Sequence, residues 1–293
     1  MKSRCICAQL RSSSRTWATR KGSTKSKRPW AYWEYHALKR SKRKTRPTEH
    51  FFIPDTQVKP GVNTDHIEAA ANYAVDKRPD VIAIIGDWWD LPSLSSYEKK
   101  GSKYFHDKSY AKDIEAGNEA KERFMRPLRR ARSYKPRIEF FEGNHEFRAT
   151  RAAHEEPTLV GTVGRHSFDL EGWNFHKYLE VVEIDKILYS HLFLNPTSLI
   201  RGALSGTVDN RLNKIKQSFS QGHQQIRLWG SQFTSGGKEI CGLVAGAFYS
   251  HEEDYQGPQG NNYWRGAVYK HEVKDGRYDP MMLSLGYLIR EWL

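Results

Sequence analysis

Cysteine is scarce in this chain, and long apolar runs are missing altogether. Its 293 residues include three cysteines, Cys5, Cys7 and Cys241. That number rules out a disulfide framework and makes a reducing compartment the simplest expectation. Cys5-Ile6-Cys7 has the form of half a zinc site, but no second half lies nearby. No apolar run approaches the roughly 18 residues of a membrane span. There is no Gly-x-Ser-x-Gly or Cys-based nucleophile motif, so nothing in the sequence calls for a covalent enzyme intermediate. Internal repeats are absent. What remains is the composition of a folded protein, 38% apolar and 13% aromatic, with ample length to bury a core.

Acid is almost absent from one end. Residues 1–47 contain 15 Lys or Arg and one acid, Glu34, a net of +14. The whole-chain net of +13 leaves residues 48–293 with 32 basic and 33 acidic side chains, a net of −1. The excess charge therefore sits in an N-terminal arm, 1–47, ahead of a near-neutral body, 48–293. Such an arm suits a polyanion, nucleic acid first, through counterion release. A solvated tail and an organelle-type transit segment are the alternatives. Trp30, Tyr32, Trp33 and Tyr35 interrupt the arm and suit either packing on the body or stacking on bases.

From residue 48 the pattern alternates. "HFFIP" reads as a strand. A helix follows over 63–77, with Asn63 or Thr64 as N-cap and Ile67, Ala70, Ala71, Tyr73 and Ala74 on its apolar face. "VIAIIG" is a strand covered on both faces. "YAKDIEAGNEAKERFMRPLRRARS" reads as a long amphipathic helix and "RIEFFEG" as a third strand. This order implies a parallel sheet with right-handed crossovers. "YLEVVEI" and "KILYSHLFL" read as a hairpin turning at Asp185-Lys186. The last third is expected to be strands: "IRLWGSQF", "ICGLVAGAFY", "WRGAVYKHEV" and "MMLSLGYLI", with an Asp-Gly turn in "VKDGRY".

Polar clusters follow the strands in order. The first strand runs into Asp55 and Gln57. "GDWWD" brings Asp87 and Asp90, and "GNHE" brings Asn144 and His145. "YSH" presents His191, and "SQGHQQ" presents His223 and Gln225. Open α/β sheets bind ligands at the carboxyl ends of strands. Each residue alone is ordinary: an Asp after a strand is usually a cap, and a His in an apolar strand is usually core. The ordered set of five points to one convergent site.

That set resembles the calcineurin-like metallophosphoesterase superfamily, with its Asp-x-His, Gly-Asp-x-x-Asp, Gly-Asn-His-Glu, His and Gly-His-x-His series. The match spans roughly 48–293, and "LPSLSSYEKK" is similar to phage and prophage members. The resemblance implies a four-layer α/β/β/α sandwich with mixed sheets, carrying two divalent metal ions at the strand ends. By resemblance Asp87 bridges the metals. Asn144, His191 and His223 complete the second site, while Asp55 and the positions of Gln57 and Gln225 hold the first. His145 sits beside the phosphate, oriented by Asp90. Both departures from the family pattern, Gln57 and Gln225, fall on the same metal. An amide oxygen is a neutral and weaker donor than imidazole, which favours Mn²⁺ or Mg²⁺ there over Zn²⁺; Mn²⁺ is the leading expectation, with Mg²⁺, Fe, Ni²⁺ and Zn²⁺ as the alternatives. A lopsided pair is expected, with a one-metal or inactive relative as the alternative.

The expected chemistry is hydrolysis of a phosphoester by hydroxide generated between two metals, with His145 at the leaving oxygen. Members that carry Arg after the second Asp use it on phosphate. Here that position is Leu91, and Arg148 is a candidate substitute. A phosphodiester or nucleic-acid substrate in a bacterial or phage-infected cytoplasm is the leading expectation. A phosphomonoesterase and a non-catalytic nucleic-acid-binding relative are the alternatives. The aromatics of loop 88–109, Trp88, Trp89, Tyr97, Tyr104 and Phe105, are either stacking faces over the site or core.

Overall fold

The computed structural model describes residues 46–96, 107–253 and 257–293. Expectations for the arm up to residue 45, and for Tyr97, Tyr104 and Phe105, lie outside the described residues. In chain order the elements are β1 (Thr48–Ile53), α1 (Asp65–Lys77), β2 (Val81–Ile84), α2 (Tyr110–Arg130), β3 (Arg137–Phe141), α3 (Asn144–Glu155), β4 (Asn174–His176), β5 (Val182–Ile184) and β6 (Ile187–Tyr189). Then follow α4 (Val208–Ile215), β7 (Ser218–Gln221), β8 (Leu228–Phe233), β9 (Glu239–Val244), α5 (Gly257–Gly260), β10 (Gly266–Lys274), β11 (Arg277–Ser284) and α6 (Leu285–Trp292).

Two mixed sheets result. One has the order β11-β10-β1-β2-β3-β4 and the other β5-β6-β7-β9-β8. β1 to β4 are mutually parallel, as are β6, β7 and β9. Strand periodicity decides which core each side chain joins. Phe51, Ile53, Ile82, Ile84 and Phe140 pack with α1, α2 and α6, while their neighbours Phe52, Val81, Ala83 and Phe141 meet Ile187, Tyr189 and Leu243 of the second sheet. On its far side the second sheet packs Phe219 and Val244 against Leu212 and Val208 of α4. The layers are therefore α/β/β/α, as the resemblance implies.

The space between the sheets is not wholly apolar. Lys270 is fully buried there, and its Nζ donates to Tyr189 Oη (2.9 Å) and Ser220 Oγ (2.6 Å). His50 Nδ1 lies 2.7 Å from the same Tyr189 Oη. These bonds cross between strands of the two sheets and help set how they face each other.

Several local expectations are corrected. "MMLSLGYLI" is not one strand: β11 stops at Ser284, whose Oγ accepts from Tyr287 N, and α6 begins. Leu285 and Leu288 then share a buried helical face, and Trp292 packs edge-on against Tyr73 of α1. "KILYSHLFL" is a strand only over Ile187–Tyr189, so His191 lies just past its end. The long helix ends at Arg130. The helices α3 and α4 and the strands β4 and β7 were not anticipated. The Asp185-Lys186 and Asp275-Gly276 turns occur as expected, with all four residues at positive φ, the primed-turn geometry of short hairpins.

Trp88 and Trp89 are fully buried. Trp88 Nε1 donates to Gly117 O and Trp89 Nε1 to Asn118 Oδ1. They are core, and the stacking-face alternative is overturned for both. Gly117 explains the fit: a Cβ there would stand 1.9 Å from Trp89 Cδ1. Replacing a mid-helix Gly by Ala ordinarily stabilises a helix by up to about 1 kcal/mol. Here Gly117→Ala is expected to lower unfolding free energy by about 1–3 kcal/mol through overpacking. Urea unfolding decides it; an increase in stability would contradict this packing.

Candidate metal centre

Parallel strands put their carboxyl ends on one edge. Asp55 follows β1, Asp87 follows β2, Asn144 follows β3, His191 follows β6 and His223 follows β7. The loops that carry them are tightly drawn. A Cβ on Gly143 would stand 2.1 Å from Asp87 Oδ1, and one on Gly222 would stand 2.2 Å from Asp55 Oδ1. Glycine is required at both places because a ligand-type carboxylate occupies the space. Four of the implied ligands themselves have left-handed backbone: Gln57 (φ 44), Asp87 (φ 51), His223 (φ 67) and Gln225 (φ 54). Such strain in non-glycine residues concentrates at functional sites.

A buried carboxylate staples two of these loops together. Glu146 Oε2 accepts from Asp87 N (3.0 Å) and Gly143 N (2.8 Å), and Oε1 accepts from Trp89 N (2.9 Å). Burial, then the neighbouring Asp87, pushes the Glu146 carboxyl up to about 8. Glu146 is the N3 residue of α3 and accepts from the N-cap Gly143 N, the half of a capping box that a glycine N-cap allows.

Around Asp87 the donors converge. His191 Nδ1 donates to Ile85 O (2.6 Å), which leaves Nε2 with its lone pair. That atom lies 2.9 Å from Asn144 Oδ1 and 3.5 Å from Asp87 Oδ2. His223 Nδ1 lies 2.8 Å from the same Asn144 oxygen. Burial holds both rings below the usual histidine range, His223 to about 4, so both are neutral near pH 7. Ligand atoms of Asp87, His191 and His223 all fall within 4.8 Å of one another. Lone pairs from neutral imidazoles, an amide oxygen and a carboxylate face a common point, which suits a divalent cation.

The second group of implied ligands is oxygen only. Asp55 Oδ2 and Gln57 Oε1 are buried atoms without a hydrogen-bond partner. Asp55 Oδ1 accepts from His223 N (2.9 Å), and Gln57 N donates to Asp87 O (2.6 Å). Burial, then Asp87, raises the Asp55 carboxyl well above the carboxylate range. Gln225 lines the same cleft, and its Oε1 accepts from Tyr249 Oη (3.0 Å), which also touches Tyr263 Oη. Two unsatisfied buried oxygens beside a second buried acid fit a hard cation.

His145 stands beside these groups. Its N donates to Asp87 Oδ1 (2.9 Å), and its Nδ1 lies 2.7 Å from Asp90 Oδ1. Burial opposes ionisation of both partners. For His145, Asp87 and Asp90 outweigh it and lift the ring to about 9. For Asp90, His145, Lys59 and Arg148 outweigh it and hold the carboxyl at about 2. Arg148 is buried, not a surface arginine. Its Nη1 donates to Asp90 O (2.8 Å), and its Nη2 lies 3.1 Å from His145 Nε2. The carboxylates favour a protonated Nε2 and the guanidinium an unprotonated one; the carboxylates prevail, so the ring holds its proton near neutral pH. Lys59 Nζ bridges Glu253 Oε1 (2.7 Å) and Asp90 Oδ2 (3.7 Å), a contact no local pattern announces. Asp87, Asp90, Asn144, His145 and His223 line a cleft of about 1520 Å³ that also takes in Ile226, Asn262 and Tyr263.

No protein-family model matches the chain. The Gene 54 proteins of Mycobacterium phages L5 and D29 are 35% and 34% identical to it over 118 and 119 residues. Those matches cover 40% of this chain and 43% and 44% of the phage proteins, so the chain spans less than half the length of these curated relatives. Among solved structures, a dimetal phosphatase from Danio rerio is similar over 82% of this chain and 99% of its own, at 13% identity and a TM-score of 0.40. The E. coli phosphoesterase Yfce is similar over 80% of this chain and 100% of its own, at 10% identity and a TM-score of 0.35. These likenesses are loose, and the chemistry is read from this chain's own residues.

The unequal donor sets have a measurable consequence. After extensive dialysis the protein loaded with Mn²⁺ is expected to retain fewer than two ions per chain. The double variant Gln57→His, Gln225→His should retain close to two and move its preference toward Zn²⁺ or Co²⁺, because imidazole is the stronger donor. Elemental analysis reads both. Two tightly held ions in the unaltered protein would remove the basis for a weak first site.

Proposed function

We propose that this protein is a metal-dependent phosphoesterase that holds two divalent cations, Mn²⁺ foremost, and hydrolyses phosphodiesters. The observation that carries the reading is the convergence of unsatisfied lone pairs on Asp87 beside a histidine–carboxylate pair in an open cleft. Asp87, Asn144, His191 and His223 would hold one cation, and Asp55, Gln57 and Gln225, with Asp87, the other. Bound there, divalent cations would supply the positive charge that polarises a phosphoryl group and acidifies water.

The remaining roles belong to side chains. His145 presents Nε2 to the cleft and passes a proton to the leaving oxygen. Asp90 fixes the ring by taking its Nδ1–H, as carboxylates do for catalytic histidines. Arg148 braces this pair and lends positive charge beside Nε2. Support for a diester comes from charge. Leu91 stands where related enzymes place a phosphate-binding arginine. Arg148 and Lys59, beside Asp90, are already bonded to Asp90 O and Glu253. A singly charged diester asks for less positive charge than a doubly charged monoester. The phage relatives support a place in an infected bacterial cell. Among the described residues, no helix is long and apolar enough to cross a membrane.

Two dyes test the reaction. With Mn²⁺ present, kcat/KM for bis(p-nitrophenyl) phosphate is expected to exceed that for p-nitrophenyl phosphate by about tenfold or more, a gap of about 1.4 kcal/mol. The reverse order would make it a monoesterase. Inertness toward both, with cations bound, would make it a binding protein. His145→Ala should lower kcat about 10²- to 10⁴-fold while metal content stays near that of the unaltered protein. Joint loss of metal and activity would reassign His145 as a ligand.

The basic composition of residues 1–47 supports nucleic acid as the polymer that carries the diester. Deleting them is expected to leave dye hydrolysis unchanged and to weaken DNA binding about tenfold or more at low salt. Equal affinity at matched ionic strength would rule the arm out.

A further inference from the structure

The near-zero net charge of residues 48–293 conceals an uneven surface. Residues 129–137, "RRARSYKPR", hold five basic side chains and no acid. They form the end of α2 and the turn into β3. Arg129, Arg130, Arg132, Lys135 and Arg137 are all exposed. Arg129 pairs with Glu122 and Arg137 with Glu139. Arg130, Arg132 and Lys135 make no ion pair among the described residues.

This turn is tied to a basic neighbour. Tyr134 is buried, and its Oη donates to Pro79 O (2.9 Å). Arg137 N donates to Asp80 O (3.0 Å). These bonds pin the α2–β3 turn to the α1–β2 turn. There the exposed Arg78 reaches Ser133 Oγ (3.3 Å). Nearby acids are engaged: Asp76 with Lys77, and Asp80 Oδ2 with Glu49 N. Because β1, β2 and β3 are parallel, both turns lie at the amino edge of the sheet, opposite the metal centre.

We propose that Arg130, Arg132 and Lys135, with Arg78 beside them, form a second binding site, for the phosphate backbone of nucleic acid. The backbone that carries the cations is held in place by these bonds, and each cation can displace condensed counterions from a phosphate. The patch reads no sequence, because Arg and Lys contacts to phosphate position a duplex without specifying it. A lipid surface fits less well: the one aromatic of the segment, Tyr134, is buried, so nothing apolar projects toward a bilayer. Binding here is independent of hydrolysis at the metal centre.

The test uses the full chain and a fluorescein-labelled DNA duplex, with anisotropy followed between about 50 and 200 mM NaCl. The triple variant Arg130→Gln, Arg132→Gln, Lys135→Gln is compared with a charge-matched control, Lys177→Gln, Arg201→Gln, Lys238→Gln, whose side chains are also exposed. The patch variant is expected to bind about tenfold more weakly at low salt, with the slope of log K against log salt reduced by about 2–3, close to 0.9 per lost contact. The control should stay within about twofold of the unaltered protein. Equal losses in both variants would reduce the effect to net charge and overturn the site. So would an unchanged slope. Phosphatidylserine-containing vesicles form the last arm: loss of vesicle binding with DNA affinity intact would reassign the patch to membranes.

Discussion

Buried carboxylates that outnumber the buried positive charge beside them, the His145 ring, are the constraint around which this molecule is arranged. Asp55 and Asp87 are 0% and 1% exposed, and neither meets a Lys or Arg among the described residues. Leaving a carboxylate so placed and unpaired costs several kcal/mol. The protein offsets part of that cost with backbone donors: His223 N on Asp55, and His145 N, at the amino end of α3, on Asp87. A helix amino terminus adds its own partial positive charge. Two oxygens, Asp55 Oδ2 and Gln57 Oε1, are still left over. The neutral rings of His191 and His223 add lone pairs, not protons. Cations are the missing half of this electrostatic balance.

The sandwich makes such a concentration of acceptors tolerable because it is stiff. Two sheets, each buried on both faces over its central strands, end their parallel strands at the same edge. The loops leaving them have no slack. Gly143 and Gly222 touch the carboxylates they flank, and Glu146 ties three backbone amides across two loops. Strained φ values at Gln57, Asp87, His223 and Gln225 persist because this framework over-determines them. The same parallel order sends the α1–β2 and α2–β3 turns to the opposite edge, where basic side chains collect.

What the sequence disclosed was short-range. Asp55, Asp87 and Asn144 were legible because each follows an apolar run that reads as a strand, whereas His191 reads as part of its strand and β7, ahead of His223, is the polar run SFSQ, so those two stood out only within the ordered series. The two glutamines stood out only against a family pattern. Contacts made across long separations were not legible. Lys59 and Glu253 are 194 residues apart, and Tyr249 reaches Gln225 from another loop. The final helix was misread because Met281, Met282 and Leu283 continue a strand pattern. The change of period begins only at Ser284, whose hydroxyl caps the helix. The basic turn at 129–137 was hidden by summation: 33 acids elsewhere in the body cancel its charge on paper but not in space.

Anomalous diffraction from crystals grown with Mn²⁺ tests the central claim most directly, because it locates cations without reference to turnover. The account requires two anomalous peaks at the carboxyl edge of the sheets. The stronger should lie among Asp87, Asn144, His191 and His223, and the weaker among Asp55, Gln57, Asp87 and Gln225. Absence of any peak at Asp87, with Asp55 and Gln57 still unpartnered, would contradict it. It would mean that the fold sustains this buried charge without cations and that the site is not a metal centre.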